Sequence, residues 1–269
     1  MLWSASFRGE LRLVQGVIAQ GAEVDWHNAE QNGMTALHAA AQEGKVAVVD
    51  ALIAAGCQIE AENSQGRTAC YLAAEMNEME VLRRIIRAGA DVNRAATSST
   101  GGRPIQVAAQ LGHAAVIDCL LDAGALVDSR SSEGCTALVL GSQHGKLEAV
   151  RSLIRAGADV NLLCISLAGI SRTALMQASQ CNHPSVVEAL LEAGADVNFA
   201  SPENWINALM AACAAGSEAS VRDLLAGGAD PRLLTHKGYT ALDFDRQRNQ
   251  PVAALLVAKL RELSAGGGV

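Results

Sequence analysis

Residues 33–56 read Gly33-Met34-Thr35-Ala36-Leu37-His38-Ala39-Ala40-Ala41-Gln42-Glu43-Gly44-Lys45-Val46-Ala47-Val48-Val49-Asp50-Ala51-Leu52-Ile53-Ala54-Ala55-Gly56. Nine residues after Thr35 comes Gly44, which accepts a left-handed backbone cheaply, as a helix end requires. Val48, Val49, Leu52 and Ile53 then fall four, five, eight and nine residues beyond Gly44, a spacing that puts them on one stripe of a second helix. Gly56 ends that helix. The stretch predicts a short helix, a tight turn, a second helix and an extended loop.

The same unit recurs along the chain. Gly21, Gly56, Gly89, Gly124, Gly157, Gly194 and Gly228 follow one another at gaps of 35, 33, 35, 33, 37 and 34 residues. The Thr35 slot is repeated at Thr68, Thr136, Thr173 and Thr240, with Arg103 and Asn207 in the other two repeats. Nine residues after each slot stands Gly44, Asn77, Gly112, Gly145, Asn182, Gly216 or Asn249, so only Gly and Asn occur there and the position reads as a C-cap. The apolar stripe returns at Val81, Leu82, Ile85 and Ile86, at Val116, Ile117, Leu120 and Leu121, and at Val186, Val187, Leu190 and Leu191. One unit cannot bury its stripe alone, whereas stacked neighbours can.

Composition agrees. Half of the 269 residues are hydrophobic but only 3% are aromatic, so the core is built of small side chains suited to thin, closely packed helical layers. The net charge of −7 and the absence of any Lys/Arg run argue against binding nucleic acid by phosphate neutralisation. No apolar stretch nears the roughly 20 residues of a membrane helix, and the N-terminus shows no signal-peptide pattern. The seven cysteines, odd in number and without a C-x-x-C pair, read as reduced thiols of an intracellular, cytoplasmic protein.

Here the chain resembles the ankyrin-repeat family. Gly33-Met34-Thr35-Ala36-Leu37-His38-Ala39-Ala40-Ala41 and Gly134-Cys135-Thr136-Ala137-Leu138 resemble its signature, as do Gly157-Ala158-Asp159-Val160-Asn161 and Gly194-Ala195-Asp196-Val197-Asn198. The resemblance covers about residues 1–260 and implies an all-α solenoid of about eight helix–turn–helix units with hairpin fingers. Residues 1–263 are expected to form a single array. Its N-terminal cap unit is 1–32, its C-terminal cap unit 238–263, and 264–269 a flexible tail. The resemblance also implies that partners lie on the fingers and on the inner face of the first helices.

The chain departs from the family pattern in places. The family's Thr-x-x-His pairing is kept only at Thr35 and His38; Tyr71, Gln106, Val139, Met176, Met210 and Asp243 stand where the histidine would be, and a looser array is expected. Ser171 and Trp205 replace finger glycines, which predicts altered turns there. The longest insertion, Leu162-Leu163-Cys164-Ile165-Ser166-Leu167-Ala168-Gly169-Ile170-Ser171, is charge-free in what the family makes a polar finger. Phe199 and Trp205 lie on the next finger. Leu163, Ile165, Leu167, Ile170, Phe199 and Trp205 are therefore expected to form one apolar patch, either open to a partner or folded over the first helices.

A second candidate surface is a row on the inner face. Two residues before each cap stand Gln42, Glu75, Gln110, Gln143, Gln180, Ala214 and Gln247; the next slot holds Glu43, Met76, Leu111, His144, Cys181, Ala215 and Arg248. The second row is charged at its ends and mostly apolar in the middle, as a protein interface is. Gln42, Met76, Gln110, Leu111, Gln143, His144, Gln180 and Cys181 are the candidate contacts. No catalytic constellation, metal site or phosphate loop emerges. His113 and His183 follow cap residues, where the family has histidine for structural reasons. Cys181 and His183 have no second pair to complete a zinc site. The expectation is a non-enzymatic module without cofactor that binds a protein or peptide, with no nucleic acid, membrane insertion or small-molecule substrate. The alternatives are a constitutive subunit or spacer of a large assembly, or the targeting part of a larger enzyme.

Overall fold

The computed structural model describes residues 1–97, 101–165, 169, 171–248 and 252–265, with only the backbone at 247 and 248. Two compact units divide the chain, Met1–Glu133 and Gly134–Val269. The first holds four helix pairs: α1 (Leu2–Arg8) with α2 (Leu11–Ala19), α3 (Ala36–Gln42) with α4 (Val46–Ala54), α5 (Ala69–Glu75) with α6 (Met79–Arg87), and α7 (Pro104–Leu111) with α8 (Ala114–Asp122). The second holds α9 (Ala137–Gln143) with α10 (Leu147–Arg155), α11 (Ala174–Gln180) with α12 (Pro184–Glu192), α13 (Ala208–Ala215) with α14 (Glu218–Ala226), and α15 (Ala241–Arg248) with α16 (Ala253–Ala265). This is the expected all-α array of eight helix–turn–helix units. Helix α16 runs two residues into the segment expected to be a loose tail, and 266–269 lie outside the described residues.

Within each unit the first helices pack in one row and the second helices in another. First helices between the terminal pairs are enclosed almost all round, which explains their alanines: Ala39, Ala40 and Ala41 have no exposed surface, and larger side chains would force neighbouring helices apart. Second helices bury one stripe. Val48, Val49 and Leu52 are fully covered while Ile53 is half-buried, a division repeated at Ile86, Leu121 and Leu191. The caps are left-handed as read from sequence, with φ of 67° at Gly44, 61° at Asn77 and 57° at Asn182. Asn249 lies outside the described residues.

The period also has a polar cause. Asn161 donates from Nδ2 to the Gly194 carbonyl (3.4 Å) and accepts at Oδ1 from the Asp196 amide (2.7 Å), tying one repeat to the next. Asn93 makes the same pair of bonds to Gly124 and Leu126, and Asn198 to Gly228 and Asp230. Each bridge joins residues about one repeat apart, so the Asp-Val-Asn hairpins hold the stack at its edge.

Candidate partner-binding site

The fingers are built by short backbone ladders. Asn63 donates to the Arg67 carbonyl at 3.1 Å, and Gly66 to the Asn63 carbonyl at 2.8 Å. Neighbouring fingers touch edge to edge: the Ser64 amide donates to the Asn32 carbonyl (2.8 Å), and the His236 amide to that of Asn204 (3.2 Å). The charge-free insertion instead forms a two-stranded hairpin, β1 (Cys164–Ile165) against β2 (Ser171–Arg172). Ser171 sits in extended backbone there, and the left-handed residue has moved to Gly169, φ 71°. Trp205 behaves differently: it keeps the left-handed turn, φ 59°, in the slot where other fingers place glycine.

Trp205 is 51% exposed and its ring packs on His236 of the following finger, centroids 4.2 Å apart. Ile165 is 53% exposed, while Leu163 and Phe199 are half-buried. Leu167 and Ile170 lie outside the described residues. The long hairpin and the Trp205 finger are joined by the buried Ser171 hydroxyl, which donates to Glu203 and holds that carboxyl below its ordinary range. In the same unit Cys135 and Cys164 bring their sulfurs within 2.8 Å on neighbouring fingers.

The inner-face row is distributed over both units. In the first, Met76 and Leu111 are exposed, Gln110 is exposed, and Gln42 is half-buried beside Glu43. In the second, His144, Gln180 and Cys181 are exposed and Gln143 is half-buried. His144 turns back on its own helix, its Nδ1 donating to the Leu140 carbonyl at 2.9 Å. Side chains on the fingers reach onto this row. Arg67 makes a two-pronged contact with Glu75 (3.1 and 3.0 Å) and covers the Tyr71 ring. One residue before its own threonine slot, like Arg67, stands Arg172, whose Nη1 donates to Gln177 (2.9 Å) and to Gln180.

A cavity of about 120 Å³ opens beside Arg172. Gln180, Asn204, Met176, Met210 and Phe244 line it, on α11, α13, α15 and the Trp205 finger. Of these residues the sequence pattern singles out Gln180 as a contact. Arg172 carries a legible signal, its phase with Arg67, whereas Asn204 and Phe244 carry none.

The other polar side chains serve the fold. His113 and His183 donate from Nε2 to the carbonyls of Glu75 (3.1 Å) and Gln143 (3.0 Å), fastening each turn to the preceding repeat. Burial pushes the thiols of Cys70 and Cys213 up to about 12 and that of Cys57 to about 11, which keeps them protonated and poorly nucleophilic. Among the described residues no group of three or more His, Cys, Asp or Glu side chains could hold a metal ion. No helix there is long and apolar enough to cross a membrane.

The ankyrin-repeat profile matches residues 2–96, 95–164 and 175–263. The chain belongs to the ankyrin-repeat family. No curated protein sequence matches it. Ankyrin repeats are in general protein–protein interaction modules.

Two of the six residues that replace the histidine of the ankyrin pattern, Gln106 and Asp243, keep part or all of its hydrogen bonding. At Thr35 the His38 ring accepts the Thr35 amide at Nδ1 (3.1 Å) and reaches the Arg67 carbonyl of the next repeat with Nε2 (2.9 Å). Gln106 makes both bonds without a histidine: Oε1 accepts the Arg103 amide (2.8 Å) and Nε2 donates to the Ser129 carbonyl (2.9 Å). Asp243 supplies the capping half, accepting from the Thr240 amide and hydroxyl at 2.7 Å each. A side-chain acceptor three residues after the slot thus closes the turns at Arg103 and Thr240, whereas Val139 brings no such acceptor to its own.

Proposed function

We propose that this ankyrin-repeat chain binds another protein through the fingers and inner face of its second unit, around Trp205, Ile165 and the Arg172 cavity, and performs no catalysis. The observation that carries this reading is Trp205. A non-glycine residue in the left-handed region costs about 1 to 3 kcal/mol, and glycine fills this slot in most other fingers without that cost. The tryptophan there keeps half of its surface exposed on a rigid turn, where a partner can reach it. Exposed aromatic side chains held on rigid turns are the residues that dominate protein interfaces. The net charge of −7 supports a protein rather than a nucleic-acid partner. The exposed Met76 and Leu111 of the first unit form a secondary candidate surface.

Trp205→Gly separates function from fold. Glycine removes the strain together with the ring contact to His236, two opposed effects, so the melting temperature should change little. Binding to the partner captured from native cells should weaken roughly thirtyfold, the loss expected for an aromatic anchor worth about 2 kcal/mol. Quantitative mass spectrometry of proteins retained by wild-type and Trp205→Gly baits reads the result. Unchanged retention would sink the finger assignment. A partner that never exchanges with added free protein would favour the constitutive-subunit alternative.

A further inference from the structure

Arg67 and Arg172 occupy the same slot in two repeats, yet their partners differ in charge. Arg67 faces the carboxylate of Glu75; Arg172 faces Gln180, which stands at the Glu75 position. Among the described residues no carboxylate lies within ion-pair distance of Arg172, and Glu203 on the adjacent finger is engaged by Ser171. The polar atoms around the cavity are used in a consistent sense. Gln177 and Gln180 spend their carbonyl oxygens on the Arg172 Nη1. Asn204 Oδ1 accepts from the Ile206 amide (3.0 Å) and from the Ser201 hydroxyl, which fixes the carboxamide with Nδ2 as its remaining group. Arg172 Nε and Nη2, Gln180 Nε2 and Asn204 Nδ2 are therefore left to donate, beside the buried Met176 and Met210 and the half-buried Phe244.

We propose that this cavity receives the carboxylate of an acidic side chain, a glutamate flanked by aliphatic residues in an extended segment of the partner protein. A site rich in donors, with no Asp or Glu among its lining residues, is complementary to a carboxylate, which accepts on both oxygens and matches the arginine fork in geometry. Met176 and Met210, themselves buried, form the cavity floor, and the half-buried Phe244 ring takes an aliphatic flank. This assignment rests on the reading of the chain as a protein-binding module and names the chemistry of one contact.

The test uses the full chain with 13C-methyl methionine and two end-blocked peptides, Ac-Ala-Leu-Glu-Leu-Ala-NH2 and its glutamine counterpart. Saturable shifts of the Met176 and Met210 methyls are expected with the glutamate peptide, about tenfold tighter than with glutamine, and no shift at Met76. Arg172→Gln should erase that preference, whereas Arg67→Gln should leave it intact. Equal binding of both peptides, no shift with either, or a preference that survives Arg172→Gln would overturn the assignment. Affinity capture with the Arg172→Gln bait keeps the two readings apart. Undiminished recovery of the native partner would reject the cavity contact while leaving the interaction-module reading standing, and selectively reduced recovery supports the cavity.

Discussion

At the scale of single residues, His38 shows how burial and hydrogen bonding select one protonation state. Its Nδ1 accepts the Thr35 amide and its Nε2 must carry the proton given to the Arg67 carbonyl, so the neutral ring fits and the imidazolium does not. Desolvation lowers its pKa to about 4. An unfolded histidine titrates near 6.5, so between those values the unfolded chain takes up a proton that the folded chain refuses. The contribution is complete above about pH 6.5 and is lost as pH falls towards 4. Between pH 7 and 5 the loss should reach about 2 kcal/mol. His38→Gln copies the arrangement found at Gln106 and is expected to flatten this part of the profile while keeping both bonds. Urea titrations of the two proteins at pH 7 and 5 check it; equal pH sensitivity would show that other groups carry the effect.

Among the elements, the finger is the one whose glycines answer to two demands. Gly66 has φ 67°, and a Cβ there would stand 2.3 Å from the Thr97 backbone nitrogen of the next finger. Gly21 has φ 83° with nothing within 4 Å of such an atom. Both substitutions to alanine incur the left-handed penalty of about 1 to 2 kcal/mol. Gly66→Ala adds a clash with main chain that cannot rotate away, and it is expected to cost at least about 1 kcal/mol more than Gly21→Ala. Chemical denaturation of both variants measures the difference, and equal losses would mean the fingers part easily. The same closeness explains why Trp205 is unusual: it keeps the turn of a glycine finger and turns its ring to the following finger at His236.

On the scale of the whole molecule, stability in a repeat protein is approximately a sum over units and their nearest-neighbour contacts. Leu153 on α10 is fully buried and α10 packs against α12, so Leu153→Ala should cost about 2 to 5 kcal/mol. Val17 on α2 is half-buried in the first helix pair, and Val17→Ala should cost clearly less. Equal shifts in denaturation midpoint would show the first pair to be no weaker than an interior one.

Much of this fold is legible in the order of residues alone. A period near 33 residues, set out by Gly and Asn caps and four-residue apolar stripes, is local information: helix, cap and buried face depend on neighbours within one turn or two. Asn77 and Asn182 read correctly as left-handed caps for that reason. The capping role of Gln106 does not read from sequence, because its carboxamide is defined by what lies at either end, the Arg103 amide and the Ser129 carbonyl. The candidate site is legible as a neighbourhood and not as a geometry. Ile165 and Trp205 stand out by composition, and Arg172 by phase. That Trp205 pairs with His236, that Ser171 reaches Glu203, and that Arg172 meets Gln180 where Arg67 meets Glu75 depend on finger spacing and side-chain direction. Sequence alone determined the repeat, its helices and its buried stripes, since those follow from periodic patterning along the chain. Only the tertiary structure decided which polar groups meet across repeats, because a hydrogen bond needs its two ends within about 3 Å, a distance set by packing rather than by order in the chain.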